Sequence, residues 1–382
     1  MNNTKVIALY LPQYHEIPEN NAWWGEGFTE WTNVKQAKKL FSWHIQPKKP
    51  LNEYYYDLMN KETVKWQTDL AQKYGVDGFC YFHYYFNGRK ILEKPAENFL
   101  HWKDIEHKFC FFWANVSWQR TWKNNFNQHQ YITSWAPEVE EGIGDNKILL
   151  EQTYGSSEDW ISHFEYLLQF FKDDRYIKKD NKPVFFIYKI NSIDCAKDMF
   201  ALWNQKAMEN GFDGIHLISV NEEPIDVPQI EAIAHYGFHK ASRSGWFAGI
   251  GQRIVNRVRH KVSETFNIND LKTDVCDYKT MWKKMISVEP YGNLPNYPGA
   301  FVNYDDTPRK GVDGFVIKNS SPAIFGKYMK IQLERTKKIY KSEFLLLDAW
   351  NEWGEGNYLE PDEENGYAFL EALRDAKAEA GR

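Results

Sequence analysis

Short apolar runs alternate with amphipathic stretches along the whole chain. Residues 6–10, 78–82, 109–113, 183–188, 215–220, 232–236, 300–304 and 344–347 form the apolar runs. They are too short for helices and apolar at consecutive positions, which predicts strands covered on both faces. Between and after them, residues 62–74, 158–171, 195–209, 322–340 and 367–378 carry helical spacing. Tyr74-Gly75-Val76-Asp77-Gly78 and Asn210-Gly211-Phe212-Asp213-Gly214 each close a helix and open a strand. Eight strands alternating with helices predict a (β/α)8 barrel with elaborated loops after the strands, one domain over residues 1–382. A doubly wound sheet is the alternative.

The last run, Phe344-Leu345-Leu346-Leu347, feeds into Asp348-Ala349-Trp350-Asn351-Glu352-Trp353-Gly354-Glu355-Gly356. On a continuing strand Glu352 and Glu355 would face opposite ways. Gly354 and Gly356 let the chain turn, and turn-like backbone brings i and i+3 within about 5–6 Å. Two carboxylates at that spacing, flanked by Trp350 and Trp353, suit acid/base work on a glycosidic bond. The plain alternative is a strand-end loop with solvated glutamates. The catalytic reading demands that both acids face one cavity, and burial of either in an ion pair away from solvent would end it.

In a barrel the chemistry gathers just beyond the strands' C-terminal ends. The first strand ends in Tyr10 and is followed by Gln13, Tyr14 and His15, then by a loop with Trp24, Glu30 and Trp31. The second leads to His83, Tyr84 and Tyr85; the third to Trp113, Asn115 and Trp118. Tyr188 closes the fourth, and Asn221, Glu222 and Glu223 follow the fifth. His239 follows the sixth, Asp305 the seventh, and Trp350, Asn351, Trp353 and Glu360 the eighth. All are candidate substrate contacts, because flat rings stack on sugar C–H faces and polar groups meet hydroxyls. With 16 Trp, 23 Tyr and 25 Phe, many rings must instead be core.

A net charge of −5 gives no electrostatic case for nucleic acid. Cys80, Cys110, Cys195 and Cys276 are widely spaced, and the first two lie in apolar runs as small buried hydrophobes. A reduced, cytoplasmic setting is expected. Residues 6–11 are too short for a signal segment and stop at Pro12, and no run reaches transmembrane length. Residues 246–262 form a basic amphipathic stretch. Such a helix can contact a membrane or a lipid-linked glycan; a surface helix packed on its own domain is the simpler reading.

No Asp-x-Asp, G-x-G-x-x-G, P-loop or Gly-x-Ser-x-Gly motif is present, and no cofactor is expected. His235 and His239 lack a third ligand, so no metal site is expected either.

Leu9-Tyr10-Leu11-Pro12-Gln13-Tyr14-His15, Trp23-Trp24-Gly25 and Gly27-Phe28-Thr29-Glu30-Trp31-Thr32-Asn33-Val34 resemble the opening of the WbsX-type proteins of O-antigen and capsule biosynthesis, which are often described as glycosyltransferases. Trp350-Asn351-Glu352-Trp353-Gly354-Glu355-Gly356, with Leu359-Glu360-Pro361, is similar to that family's closing motif. This likeness spans essentially the whole chain. The same segment more remotely resembles the catalytic stretch of glycoside hydrolase family 99, endo-acting α-mannosidases and α-mannanases on a (β/α)8 barrel.

That resemblance implies that Glu352 is the general base, taking the proton of the substrate's own 2-hydroxyl as it attacks the anomeric carbon. Glu355 would be the general acid/base, with a raised pKa. At Gly354 the sequence departs from the hydrolases, which commonly carry a histidine there; mannose specificity is therefore not carried over. Three readings stay open: a hydrolase or transglycosylase on a surface-polysaccharide glycan, a glycosyltransferase with an activated donor, and a non-catalytic glycan-binding protein.

Overall fold

The structure is a computed structural model and describes residues 4–120, 147–237 and 273–381. Nine strands form the main sheet: β1 (Lys5–Tyr10), β2 (Gly78–Phe86), β3 (Lys108–Trp113), β4 (Lys182–Ile187), β5 (His216–Val220), β6 (Ile230–Ala234), β7 (Asn296–Tyr297), β8 (Gly299–Phe301) and β9 (Phe344–Asp348). Their order is β7-β6-β5-β4-β3-β2-β1-β9-β8, and every pairing is parallel. Because β7 and β8 are separated only by Pro298, they are the two halves of one broken strand that closes the barrel. Proline has no N–H for the ladder, and here its carbonyl accepts from Leu346 N at 3.0 Å.

The strands form where apolar residues run consecutively, because helices cover them outside and side chains fill them inside. β2 and β9 are buried at every position. Two predicted strands are displaced. The sixth begins and ends two residues earlier than expected, with a register irregularity at Ile230–Ala232. The seventh lies at 296–301: Val302 N makes the last ladder bond, to the Asp348 carbonyl, and Asn303 N then goes to the Asn357 side chain instead.

The helices used below are α1 (Pro18–Trp24), α2 (Glu30–Gln36), α3 (Lys61–Tyr74), α4 (Lys94–His101), α5 (Ser157–Phe171), α6 (Ala196–Glu209), α7 (Tyr278–Met285), α8 (Thr307–Lys310), α9 (Pro322–Lys338) and α10 (Ala368–Ala380). Asn60 caps α3 by accepting from Glu62 N at 2.9 Å, and Ser321 caps α9 through Ile324 N. The four cysteines are free, with Cys80 and Cys110 buried opposite each other in β2 and β3. No helix among the described residues is long and apolar enough to cross a membrane. The basic stretch 246–262 lies outside the described residues.

Candidate active site at the end of the last strand

Beyond β9 the chain makes a two-residue hairpin, Asn351–Glu352 against Asn357–Tyr358, around a short 3-10 turn, Trp353–Glu355. Gly356 turns the chain with φ +56, and a Cβ there would meet Asp305 Cβ at 2.9 Å. This turn puts both acids on one side, as the glycine spacing predicts. Arg309, on α8, bonds both: Nη1 to Glu355 Oε1 at 2.6 Å and Nη2 to Glu352 Oε2 at 3.0 Å. Its Nε bonds Glu30 Oε1 at 2.8 Å, so one guanidinium holds three carboxylates. The short elements α2, α8 and the 353–355 turn pack on one another to bring these groups together.

Accessibility separates the two acids. The Glu355 side chain is 24% exposed, whereas that of Glu352 is 3% exposed. Glu352 is therefore enclosed in an ion pair, the circumstance that weighs against a catalytic role for it in this arrangement. Burial raises the pKa of both acids, Glu352 more strongly, and Arg309 opposes the rise in each. The charge of Glu355 adds to the rise at Glu352.

The walls are braced by the chain itself. Asn351 clips the ends of β9 and β1: its Oδ1 accepts from Leu11 N at 2.7 Å and its Nδ2 donates to Leu11 O at 3.0 Å. Tyr14 donates to the Asn351 carbonyl and accepts from Trp353 N. Glu360 accepts from Trp353 Nε1 and Gln67 Nε2, both at 2.7 Å, and from Tyr56 OH at 2.8 Å. Burial pushes the Glu360 carboxyl up to about 7. Asp305 accepts from His44, Gln46 and Thr307, anchoring the start of α8. Its own N–H donates to the Glu355 carbonyl at 2.6 Å.

The predicted contacts therefore divide. Glu30, Tyr14, Trp31, Trp353, Asn351, Asp305 and Glu360 do gather around the acids, but they are buried and their recorded bonds are to the protein. They form its frame. Trp350 packs on Phe79, and Tyr10 donates to Gln67, both in the core. Gln13 is buried and lends its carbonyl to Glu30 N, while His15 bonds Pro12 O. Trp24 is half-buried beside Phe28.

A second group assembles elsewhere. His83 Nε2 meets His163 Nε2 at 2.8 Å, Tyr85 stacks on His163 at 3.7 Å, and Trp113 closes the cluster. Asn115 ties Tyr154 to Lys189, and Tyr84 packs on Trp118. Tyr188 packs on Phe112 and Tyr236, Asn221 holds Tyr236, and Glu222 pairs with Lys189. Glu223 is exposed, and its carbonyl accepts from Asn191. His239 lies outside the described residues, and His235 bonds Asn296 at 2.7 Å. Among the described residues no cluster of three or more potential ligands could hold a metal.

Sequence reasoning missed Arg309. The signal was present in Asp306-Thr307-Pro308-Arg309: an acid followed by proline starts a short helix at a strand end, and the next residue is a fork-shaped cation.

A family model described as Glycosyltransferase WbsX matches residues 6–373. Uncharacterized protein WxcX of Xanthomonas campestris pv. campestris is 30% identical over 379 residues, 98% of this chain and 50% of that protein. The chain thus spans about half the length of the curated relatives it matches. Among solved structures, the glycoside hydrolase family 99 endo-alpha-mannosidase from Bacteroides thetaiotaomicron aligns with TM-score 0.55 at 12% identity, covering 100% of this chain and 99% of that one. A glycoside hydrolase-like protein aligns at 0.57 and 12% identity, covering 98% and 94%. At such identity these likenesses speak to the shared barrel fold.

Proposed function

The chain belongs to the WbsX glycosyltransferase family, and on that premise we propose that it is a carbohydrate-active enzyme of a bacterial surface-polysaccharide pathway. It cleaves or transfers glycosyl groups of an oligosaccharide or polysaccharide in a cytoplasmic setting, with Glu352 and Glu355 as its carboxylate pair. The observation that carries this reading is their convergence on one guanidinium at the end of the last barrel strand, with Glu355 partly exposed.

Glu355, held above the ordinary carboxylate range by burial, protonates the leaving glycosidic oxygen. Arg309 then stabilises the carboxylate left behind. Glu352 accepts the 2-hydroxyl proton as that oxygen bonds to the anomeric carbon, forming an anhydro-sugar. Glu355 next takes a proton from water as the water oxygen attacks the anomeric carbon, and Glu352 returns its proton to the 2-oxygen as the anhydro-sugar opens with net retention. Because Glu352 is enclosed by Arg309 and its pKa is raised more than that of Glu355, it acts as base only once the substrate has displaced that contact and Glu352 is ionised.

The family's description favours a second reading, transfer from an activated sugar donor. Reducing-sugar release from candidate oligosaccharides, lost in Glu355→Gln, supports hydrolysis. Consumption of a nucleotide-sugar or lipid-linked donor supports transfer. Glycan binding that survives Glu352→Gln and Glu355→Gln, without turnover, leaves a binding module and ends the enzymatic reading.

A further inference from the structure

The backbone at Gly354 leaves a gap between the two acids, and another segment fills it. A Cβ at residue 354 would stand 1.6 Å from Glu30 Oε1 and 2.8 Å from Arg309 Nε. No side chain fits there while the Glu30–Arg309 pair is in place. Glu30 opens α2, whose start is fixed by the reciprocal Thr29–Thr32 capping box. Its side chain is only 2% exposed, so a sugar cannot reach it in this arrangement.

We infer that Glu30 is the positioning residue of the carboxylate pair: reaching through the space left by Gly354, it fixes Arg309 Nε and so aims the two remaining arms of the guanidinium at Glu352 and Glu355. This rests on the reading of those two as the reacting acids. A guanidinium is a rigid planar fork, so holding Nε sets the direction of both terminal nitrogens. A lysine at 309 would offer no such linkage.

Glu30 also acts through its charge. Glu355 is faced by Arg309, Lys310 and Asp306 around α8, by Glu30 from α2, by Asp348 from β9, by Tyr304, and by Glu352 in its own hairpin. Glu30 and Asp306 raise the Glu355 pKa, while Arg309 and Lys310 lower it. Replacing Glu30 by its neutral isostere keeps an acceptor for Arg309 Nε and removes one repelling charge.

The test is a pH titration of the intact chain labelled with carboxyl-13C glutamate, with Glu355→Gln used to identify the resonance. In Glu30→Gln the Glu355 midpoint falls below that of the wild type while cooperative unfolding is retained. An unchanged midpoint in a folded Glu30→Gln protein overturns the inference. Gly354→Ala is the second variant: it forces the Glu30 carboxylate out of the gap and changes the midpoint, whereas a folded variant that titrates like the wild type also overturns it. No glycan enters the measurement. A wrong role for Glu30 and a wrong substrate class therefore give different results.

Discussion

At the scale of single residues, the centre of this molecule is an unequal charge count, three carboxylates around Arg309. Breaking a buried pair from one side strands the other charge in a poor solvent for it. Arg309→Met is expected to lose about 3–5 kcal/mol of stability by denaturant unfolding. A loss under about 1 kcal/mol would place the cluster in the class of surface pairs instead. The two glutamates were legible in the sequence because their geometry depends on a local turn with glycine at the right places. Arg309 showed only as a cation in a short helix at a strand end, and its role was hidden because its partners come from segments centred on residues 30 and 353 and meet only through tertiary packing. Glu360 was legible as an acid near the site, whereas its three donors, Tyr56, Gln67 and Trp353, come together only in the fold.

Elements were read more easily than their uses. Strands buried on both faces announce themselves by unbroken apolar runs, and helices such as α3 and α9 by spacing and caps. The displaced boundaries arise where Pro298 interrupts the seventh strand and where β6 carries an irregular pairing, features that act through partners and not through composition. The hairpin 351–358 is held to β1 by Asn351, which satisfies both Leu11 N and Leu11 O. Asn351→Ala leaves two buried backbone groups unpaired, at about 1–3 kcal/mol each. Its expected signature is a lowered denaturant midpoint together with faster hydrogen exchange at Leu11. Unchanged exchange there would mean that the clip does not protect the rim.

For the whole molecule, buried titratable groups set the pH range of stability. Burial pushes His83 and His107 down to about 3, and lowers His163 well below the ordinary imidazole value with help from the facing His83. A histidine whose folded pKa lies below its unfolded value, about 6.5, supports the fold above that value. Stability is lost as pH falls from about 6.5 towards 3. Glu360 has the opposite sign: with a folded pKa raised to about 7, its contribution is greatest below its unfolded value and is lost as pH rises through about 7. Unfolding free energies should therefore peak near neutrality. The difference between pH 7 and pH 5 should shrink in a His83→Phe/His163→Phe double variant, and an undiminished difference would assign the acid slope to other groups. In Glu360→Gln this opposing contribution is absent, so stability should climb more steeply between pH 5 and pH 7 than in the wild type, and an unchanged slope would mean that Glu360 does not titrate there.

The barrel closes by seating β9 between β1 and β8, so the first strand waits for a partner more than three hundred residues downstream. During synthesis, every earlier strand can be made while β1 still shows a bare edge to the surroundings, and Glu352 and Glu355 follow just after the strand that covers it. Completion of the sheet and assembly of the site are thus one late event, with long-range contacts that slow folding. An interrupted chain would be an edge seeking a partner and not a weaker version of the folded protein.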